Sequence, residues 1–403
     1  MALPLNSLNN KPENKKNGYF NIVLFILLVI SVICISFLVY LKSQNIDIRN
    51  TSFKDIMESF SAGNKDSGKS KTWEIKYDYS EHHVFAAYDG LVIECSKNSI
   101  RGLNKNEQEQ WVEQITVNNP LLKTAGEYLL VGDMGGKEIY LFNGKSVKWN
   151  KRMDGNIVNI DITDEGYISV LNETSGYRGM LTVFNRNGNV VLSRTVLENF
   201  PLLARVSPSG KRYVISCISS MGIQAETGLI FGKLSSKEDT EITPQKEQLF
   251  PFAWYLNSDL LCTVSHSSVM CFDQDGKTAW ENQFDENQVY CADISEGKHL
   301  VMVLRDDAKS GSTAKGDKTL VRIYDKEGKV YGESSIEGKV KNIKTYGSMI
   351  AVNAGREIYV ISPKGKILDK CSSKTDVSEL FFIDGKNLAL VTNSKIIINQ
   401  INS

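Results

Sequence analysis

The sequence predicts an all-β fold, an eight-bladed β-propeller, preceded by one N-terminal transmembrane helix. Three observations lead to this prediction: a hairpin pattern that recurs along the chain, a regular spacing between its copies, and one long uncharged apolar run near the N-terminus. The run divides the chain into a tail at 1–19, a membrane helix at 20–41, a linker at 42–71 and the propeller at 72–403.

The apolar run extends from Phe20 to Leu41 and contains no charged side chain. A helix of about 20 apolar residues spans the hydrocarbon core of a bilayer. A cleaved signal peptide is the alternative, but its apolar region covers about 7–15 residues and ends at a small-residue cleavage site. The sequence Val39–Lys42 offers no such site. We therefore predict an uncleaved anchor.

The orientation of the anchor depends on the positive side chains that flank it. Each side carries the same number of them: Lys11, Lys15 and Lys16 before the run, and Lys42, Arg49 and Lys54 after it. The adjacent lysine pair favours an N-terminus in the cytoplasm and a propeller outside the cell. A propeller that faces the cytoplasm is the alternative.

The linker contains one short amphipathic pattern. Phe53, Ile56, Met57 and Phe60 follow the i, i+3, i+4, i+7 spacing of one helical face. This spacing predicts a short helix on the membrane surface or on the propeller, and a loose turn without a role is the alternative. The polar stretch at 61–71 is typical of a flexible connection.

The recurring hairpin is a strand, a turn that contains glycine, and a second strand. VMCFDQDGKTAW at Val269–Trp280, LVRIYDKEGKVYGE at Leu320–Glu333 and EIYVISPKGKILDK at Glu357–Lys370 are three copies. Other strands, such as Leu300–Leu304, are apolar at every position. Strands of that kind have both faces covered, so the sheets are expected to lie between other sheets.

The copies recur at a regular distance. One apolar residue marks each of eight copies: Ile100, Ile139, Val183, Phe231, Cys271, Ile323, Tyr359 and Ile397. The seven steps from the first marker to the last average about 42 residues, which is the spacing of propeller blades. Trp73, Trp111, Trp149 and Trp280 repeat with the same period. We count eight units, at 72–104, 109–143, 147–185, 190–234, 241–273, 278–325, 329–362 and 366–402.

We interpret each hairpin as the junction between two blades, so that its second strand opens the next sheet. Each unit then keeps its own four strands, and the ring closes by packing of the strand at Thr72–Tyr79 beside the blade that ends with Lys395–Asn402. The alternative is a strand exchange, in which the end of the chain completes a blade begun at the N-terminus.

These repeats resemble those of quinoprotein-like propellers with PQQ-type repeats. In that family an aromatic strand end, an Asp, a Gly-Lys turn and a Trp recur in each blade, as in FDQDGKTAW at Phe272–Trp280. Half of the units lack the Trp, and Leu192 and Tyr331 stand near its position in two of them. The tail, anchor and propeller together resemble membrane-anchored domain-of-unknown-function proteins of Gram-positive bacteria.

The resemblance implies a quinoprotein-like enzyme or cofactor-binding propeller as an alternative function. Enzymes of that group hold calcium with Glu, Asn and Asp and often carry two adjacent cysteines. This chain has no adjacent cysteines, and its four histidines, His82, His83, His266 and His299, do not match a zinc site. We therefore predict no catalytic residue, no cofactor and no metal. The 47 basic and 47 acidic residues cancel, which gives no support for nucleic-acid binding.

Seven cysteines are present, of which Cys34 lies in the anchor. Cys262 faces Cys271 if Ser265–Ser268 forms the turn between their strands. Cross-strand Cβ atoms lie about 4.5–5.5 Å apart, which is slightly long for a disulfide. We expect two packed thiols, and a disulfide is the alternative.

Three connections, at 173–180, 219–228 and 305–318, are long and are expected on one face of the ring. They supply four candidate contact residues: Tyr177, Arg178, Met221 and Ile223. Loops also tolerate insertions at little energetic cost, which is the alternative explanation. The sequence thus favours a single-pass, membrane-anchored extracellular propeller that binds or scaffolds a protein or ligand of the cell envelope.

Overall fold

The computed structural model describes residues 71–402, except 220–223, 237, 247, 285–288, 296–298 and 306–317. The described residues form eight antiparallel sheets of four strands each. None of these residues belongs to a helix long and apolar enough to cross a bilayer. The predicted tail, membrane helix and linker helix lie outside the described residues.

Each sheet is one blade, and its strands follow one another from the inside of the ring to the outside. In blades 1 to 4 they are β2 (Val84–Tyr88), β3 (Leu91–Cys95), β4 (Ser99–Leu103) and β5 (Glu109–Gln114); β6 (Pro120–Ala125), β7 (Tyr128–Asp133), β8 (Glu138–Asn143) and β9 (Ser146–Arg152); β10 (Ile157–Ile162), β11 (Ile168–Asn172), β12 (Gly179–Phe184) and β13 (Val190–Val196); and β14 (Phe200–Val206), β15 (Arg212–Ser219), β16 (Glu226–Lys233) and β17 (Asp239–Ile242).

Blades 5 to 7 repeat this order, and blade 8 departs from it only in its outermost strand, which is β1. The strands are β18 (Phe252–Tyr255), β19 (Leu261–Val264), β20 (Ser268–Phe272) and β21 (Thr278–Gln283); β22 (Val289–Ser295), β23 (His299–Arg305), β24 (Lys318–Tyr324) and β25 (Val330–Glu337); β26 (Asn342–Tyr346), β27 (Met349–Ala354), β28 (Glu357–Ile361) and β29 (Ile367–Ser372); and β30 (Glu379–Asp384), β31 (Asn387–Val391), β32 (Lys395–Gln400) and β1 (Thr72–Lys76).

The core of the described propeller consists of eight apolar clusters, one between each pair of neighbouring blades. Strands in the middle of a blade, such as β7 and β20, are buried at every position. The innermost strand of blade 1 contacts those of blades 2 and 8, which closes the ring. The predicted eight-bladed propeller with both sheet faces covered is therefore confirmed.

The recurring hairpin lies within one blade and not between two, so this interpretation was wrong. β20 and β21 belong to the same sheet, where Cys271 lies opposite Trp280. The predicted units are displaced by one strand, and the Trp-bearing strand is the last of its blade. A hairpin makes the same local hydrogen bonds in either arrangement, so its sequence does not specify the strand on its other side.

The turn of this hairpin explains its sequence pattern. In blade 5 the Asp273 carboxylate accepts hydrogen bonds from the backbone N–H groups of Asp275 and Lys277, both at 2.9 Å. Gly276 then adopts a φ of 78°, a conformation that favours glycine. Gly328 holds the equivalent position in blade 6 with a φ of 77°.

The tryptophan of the hairpin contacts a turn of the next blade and so connects the two blades. Trp280 Nε1 of blade 5 donates a 2.9 Å hydrogen bond to the Lys326 carbonyl in the third-to-fourth-strand turn of blade 6. Trp149 makes the equivalent bond from blade 2 to blade 3. Trp73 of blade 8 lies under the ammonium of Lys105 in the corresponding turn of blade 1, at 4.4 Å from the ring centre.

The ring closes by strand exchange, so the prediction that every unit keeps its own four strands was wrong. β1 pairs with β32, with Thr72 opposite Asn399, and thus completes the blade formed by the end of the chain. Ile75 is fully buried in the cluster between blades 8 and 1. Trp73 and Trp111 do occupy equivalent places, but these places are on the outermost strands of blades 8 and 1.

Cys262 and Cys271 form a disulfide between β19 and β20, so the expected packed thiols were wrong. The predicted register is confirmed, because the two residues lie directly opposite each other. Their Cα atoms are 4.1 Å apart, close to the narrow type of antiparallel pair, which brings side chains nearer than the average spacing. The other cysteines in the described part of the chain are free.

Candidate binding face

Two kinds of connection emerge on the same face of the ring, here called the upper face. They are the connections from the second to the third strand of a blade and those from one blade to the next. Backbone hydrogen bonds join the two kinds, as from Arg178 N–H to the Val196 carbonyl at 2.9 Å. The three long connections at 173–180, 219–228 and 305–318 join second and third strands in blades 3, 4 and 6. The strand ends that flank all three therefore lie on the upper face.

The structure describes two of the four candidate contact residues. Tyr177 is exposed at the tip of the connection between β11 and β12. The guanidinium carbon of Arg178 lies 4.4 Å from the ring centre of Phe200 on the neighbouring blade, a cation–π contact. Met221 and Ile223 lie outside the described residues.

An arc of exposed apolar side chains follows the upper face across blades 3 to 6. Its members belong to loops or to the first residues of innermost strands, and their exposed fractions range from 39% to 62%. We call them the apolar arc: Tyr177, Leu197, Phe200, Leu249, Phe252 and Tyr290. Most other exposed large hydrophobic residues of the described chain lie on outermost strands. Among the described residues on the remaining half of the upper face, Tyr79 is the only exposed large hydrophobic residue.

The arc rests on a hydrogen-bonded support. The connection between β17 and β18 is fixed to blade 4, because Thr227 N–H donates to the Gln248 carbonyl at 3.0 Å and Phe250 N–H donates to the Thr227 hydroxyl at 2.8 Å. The Gln248 side chain accepts a bond from the Ser265 hydroxyl of blade 5 at 3.3 Å. Leu249 is therefore presented to solvent from a fixed backbone.

Aromatic contacts and polar neighbours complete the face. Phe252 stacks on Trp254 with ring centres 5.4 Å apart. Beside the arc, Asn199 donates a 2.7 Å hydrogen bond to the Glu241 carboxylate. An apolar centre with aromatic anchors and a polar edge is the composition of protein-binding surfaces. Within the described residues there is no group of three His, Cys, Asp or Glu side chains placed to hold a metal ion.

The sequence predicted that the long connections share one face, but it did not indicate most of the arc. Phe200, Phe252 and Tyr290 stand at the starts of apolar strands, where a local pattern predicts burial. The available signal is position: each is among the first two residues of an innermost strand, directly after a blade-to-blade connection. That signal becomes readable only once the blades are delimited correctly.

Solved structures of several propellers are similar to this chain. The C-terminal WD40 domain of Sif2 matches with a TM-score of 0.56 and 12% identity, covering 82% of this chain and 99% of that one. The WD40 domain of SCAP from fission yeast gives 0.53 and 10%, covering 83% and 99%. BamB from Moraxella catarrhalis gives 0.49 and 13%, covering 81% and 98%. At these identities the first two likenesses show the fold alone.

No curated protein matches the chain by sequence. One family model does match, over residues 64–401, which include the whole propeller and most of the chain. Its description is a family of unknown function, DUF5711. This chain therefore belongs to the DUF5711 family.

Proposed function

We propose that this chain is a non-catalytic binding module whose upper face docks a protein partner of the cell envelope. The observation that carries the proposal is the apolar arc. Six large side chains stay exposed on one half of one face, while the same half is braced by hydrogen bonds between blades. Clustered exposed apolar residues on a rigid support are the mark of a docking surface.

We further propose that residues 20–41 anchor the chain in the cell membrane and that the propeller lies outside the cell. The uncharged run supports the anchor. The disulfide between β19 and β20 supports the location, because structural disulfides form and persist mainly in oxidising compartments.

Site-specific photo-crosslinking in intact cells tests the docking face. A photoreactive residue in place of Phe252, in the arc, should crosslink a protein. The same residue in place of Tyr331, which is similarly exposed on the outermost strand β25, should not. Leu197→Glu should abolish the crosslink from position 252, while Val330→Glu should leave it unchanged. Equal crosslinking from both positions would refute the docking face.

Membrane extraction and protease treatment test the anchor and its orientation. The full chain should remain with the membrane fraction at high pH, and deletion of residues 20–41 should release it. Protease added to intact cells should degrade the propeller. Protection in intact cells, followed by digestion after lysis, would contradict the external location.

A further inference from the structure

A β-bulge lies near the start of the outermost strand in six of the eight described blades. It adds one residue to that strand, so that two consecutive residues, here called the bulge pair, stand directly after the third-to-fourth-strand turn. These turns and the connections from first to second strands form the face opposite the upper face, here called the lower face. The bulge pair therefore lies at the lower outer edge of its blade.

In blades 6 and 7 the bulge pair consists of large apolar residues that are exposed to solvent. Val330 and Tyr331 of blade 6 are 53% and 45% exposed, and Ile367 and Leu368 of blade 7 are 45% and 36% exposed. The ring of Tyr331 packs against that of His299, with ring centres 4.5 Å apart. Four large apolar side chains thus face water on two neighbouring blades.

The bulge pairs of other blades show that the fold does not require apolar residues at this position. The pair is Glu109–Gln110 in blade 1 and Thr278–Ala279 in blade 5. Blade 3 has an apolar pair, Val190–Val191, but the pair of neighbouring blade 2 contains Lys148 and the described sheet of blade 4 has no such bulge. Among the described blades, 6 and 7 are the two neighbours that both carry an apolar pair.

The two apolar pairs belong to one surface, because the turn at 362–366 of blade 7 is pressed against β25 of blade 6. A Cβ added at Gly332 would lie 2.1 Å from the Pro363 carbonyl oxygen, and one added at Gly365 would lie 1.9 Å from the Glu333 carbonyl oxygen. Such a close approach of two backbones requires glycine. The apolar pair of blade 6 directly precedes Gly332, and that of blade 7 begins two residues after Gly365.

Exposed lysines stand beside these apolar residues, in the turns that lead into β25 and β29. They are Lys329, Lys364 and Lys366. The nearby carboxylates already have partners: Glu333 pairs with Arg322 at 2.9 Å, and Glu327 pairs with Lys326 at 3.6 Å. The Asp325 carboxylate accepts hydrogen bonds from backbone N–H groups of its own turn. We call the four apolar residues and the three lysines the lower rim. Exposed apolar side chains with lysines among them are typical of surfaces that lie on anionic lipid.

The chain enters the propeller next to the lower rim. β1 is the outermost strand of blade 8, the neighbour of blade 7, and it begins at the lower face, where Gln400 N–H donates to the Lys71 carbonyl at 3.0 Å. The 30 residues from 42 to 71 connect this point to the proposed anchor and span at most about 100 Å when fully extended. The tether is therefore attached on the side of the ring that carries the lower rim.

We propose that the lower rim rests on the anionic lipid headgroups of the membrane. Its apolar side chains enter the interface between headgroups and acyl chains, and its lysines lie among the lipid phosphates. This contact deepens the proposed function and rests on the membrane anchor that is part of it. The apolar arc, on the opposite face, then points away from the bilayer and stays accessible to a partner.

Photo-crosslinking of the full chain in lipid nanodiscs tests the lower rim. A photoreactive residue in place of Tyr331 or Leu368 should form lipid adducts, measured by mass spectrometry, at a severalfold higher yield than one in place of Gln110. Gln110 is the exposed equivalent of Tyr331 in blade 1. All three positions share the same tether, so the difference reports contact of the rim rather than anchoring.

The charge of the lower rim is tested in the same nanodiscs. Discs that contain phosphatidylglycerol should give higher yields from position 331 than discs of phosphatidylcholine alone. In the anionic discs, Lys364→Gln with Lys366→Gln should lower the yield about tenfold, because each lysine near an anionic surface adds attraction. Lys145→Gln with Lys211→Gln removes the same charge from exposed lower-face positions of blades 2 and 4 and should leave the yield unchanged.

Three results would overturn the proposal: equal adduct yields from positions 331 and 110, equal yields with and without phosphatidylglycerol, or a crosslink in intact cells from position 331 to a protein rather than to lipid. A chain that is retained in the discs but forms no adduct from position 331 refutes the lower rim and leaves the anchor standing. A chain that does not enter the discs refutes the anchor. The same crosslink with preformed vesicles of the same lipids then decides the lower rim, and absence of adducts there refutes it.

Discussion

The closure of the ring can be tested by joining its first and last strands covalently. Thr72 and Asn399 lie directly opposite each other, and their side chains form a 3.2 Å hydrogen bond at an exposed site. We expect Thr72→Cys together with Asn399→Cys to form a disulfide under mild oxidation. Gln400 N–H donates to the Lys71 carbonyl at 3.0 Å, so the next pair, Thr72 and Asn399, is of the narrow antiparallel type. A directly opposite pair can form this bond, as Cys262 and Cys271 do.

The expected stabilisation is large because the two positions are 327 residues apart in the chain. In the chain-entropy model, a crosslink that closes a loop of this length removes about 6 kcal/mol of unfolded-state freedom at 25 °C. A domain of roughly 330 residues has an unfolding entropy of about 0.7 kcal/mol/K, so the gain corresponds to at most about 8 °C in Tm. Strain in the new bond would reduce this figure.

Electrophoresis without reductant should show a faster-migrating species that dithiothreitol removes, and calorimetry should show the higher Tm only in the oxidised form. Thr72→Cys with Lys395→Cys is the matched control. Lys395 lies opposite Lys76, four residues along the strand and so about 13 Å away. Failure of the 72–399 pair to crosslink, or equal crosslinking of the control, would refute the exchanged strand.

Further predictions concern the seam, the turns and the disulfide of blade 5. Ile75→Ala should lower the free energy of unfolding in urea by about 3 kcal/mol, because Ile75 is fully buried. The control Ile367→Ala, on an exposed outermost strand, should lower it by less than about 1 kcal/mol. Equal losses in the two variants would contradict the seam. Gly328→Ala should lower the free energy of unfolding more than Gly144→Ala does. Both glycines have a positive φ, but only at Gly328 would the new Cβ lie 2.5 Å from Trp280. Thiol titration of the unfolded chain should find two fewer thiols before reduction than after it. Reduction of this disulfide should lower the free energy of unfolding by at most about 2.5 kcal/mol.

The sequence carried enough information to predict the number of blades. Each hairpin turn needs a side-chain acceptor and a glycine at fixed offsets, as at Asp273 and Gly276, so the turns repeat visibly. Tryptophan repeats because it fastens one blade to the next. Both features come from local geometry, which is why a single sequence reveals them.

The boundaries of the blades could not be predicted, because they depend on pairing between distant residues. Trp73 and Trp111 occupy equivalent positions, as the sequence predicted. That equivalence holds whether the tryptophan strand is the first or the last strand of its blade. Only the pairing of Thr72 with Asn399 decides between them. The sequence of β1 alone does not show that this strand pairs with β32 at the other end of the chain.

The same limit applied to the cysteines and to the arc. The register of Cys262 and Cys271 followed from the turn between them, but the narrow spacing of the pair did not. Phe200 and Phe252 have neighbours in sequence that are buried, and only the ring places both on one face.

The seam and the apolar arc lie on opposite sides of the ring. The arc spans blades 3 to 6, whereas the exchanged strand completes blade 8 against blade 1. The proposed docking surface therefore lies on blades whose four strands are continuous in sequence, and fraying of β1 should not change the arc. We expect the Thr72–Asn399 crosslink to leave crosslinking from position 252 unchanged while it raises Tm. A loss of partner crosslinking in that variant would mean that binding requires the ring to open, and the arc would then be part of a moving surface.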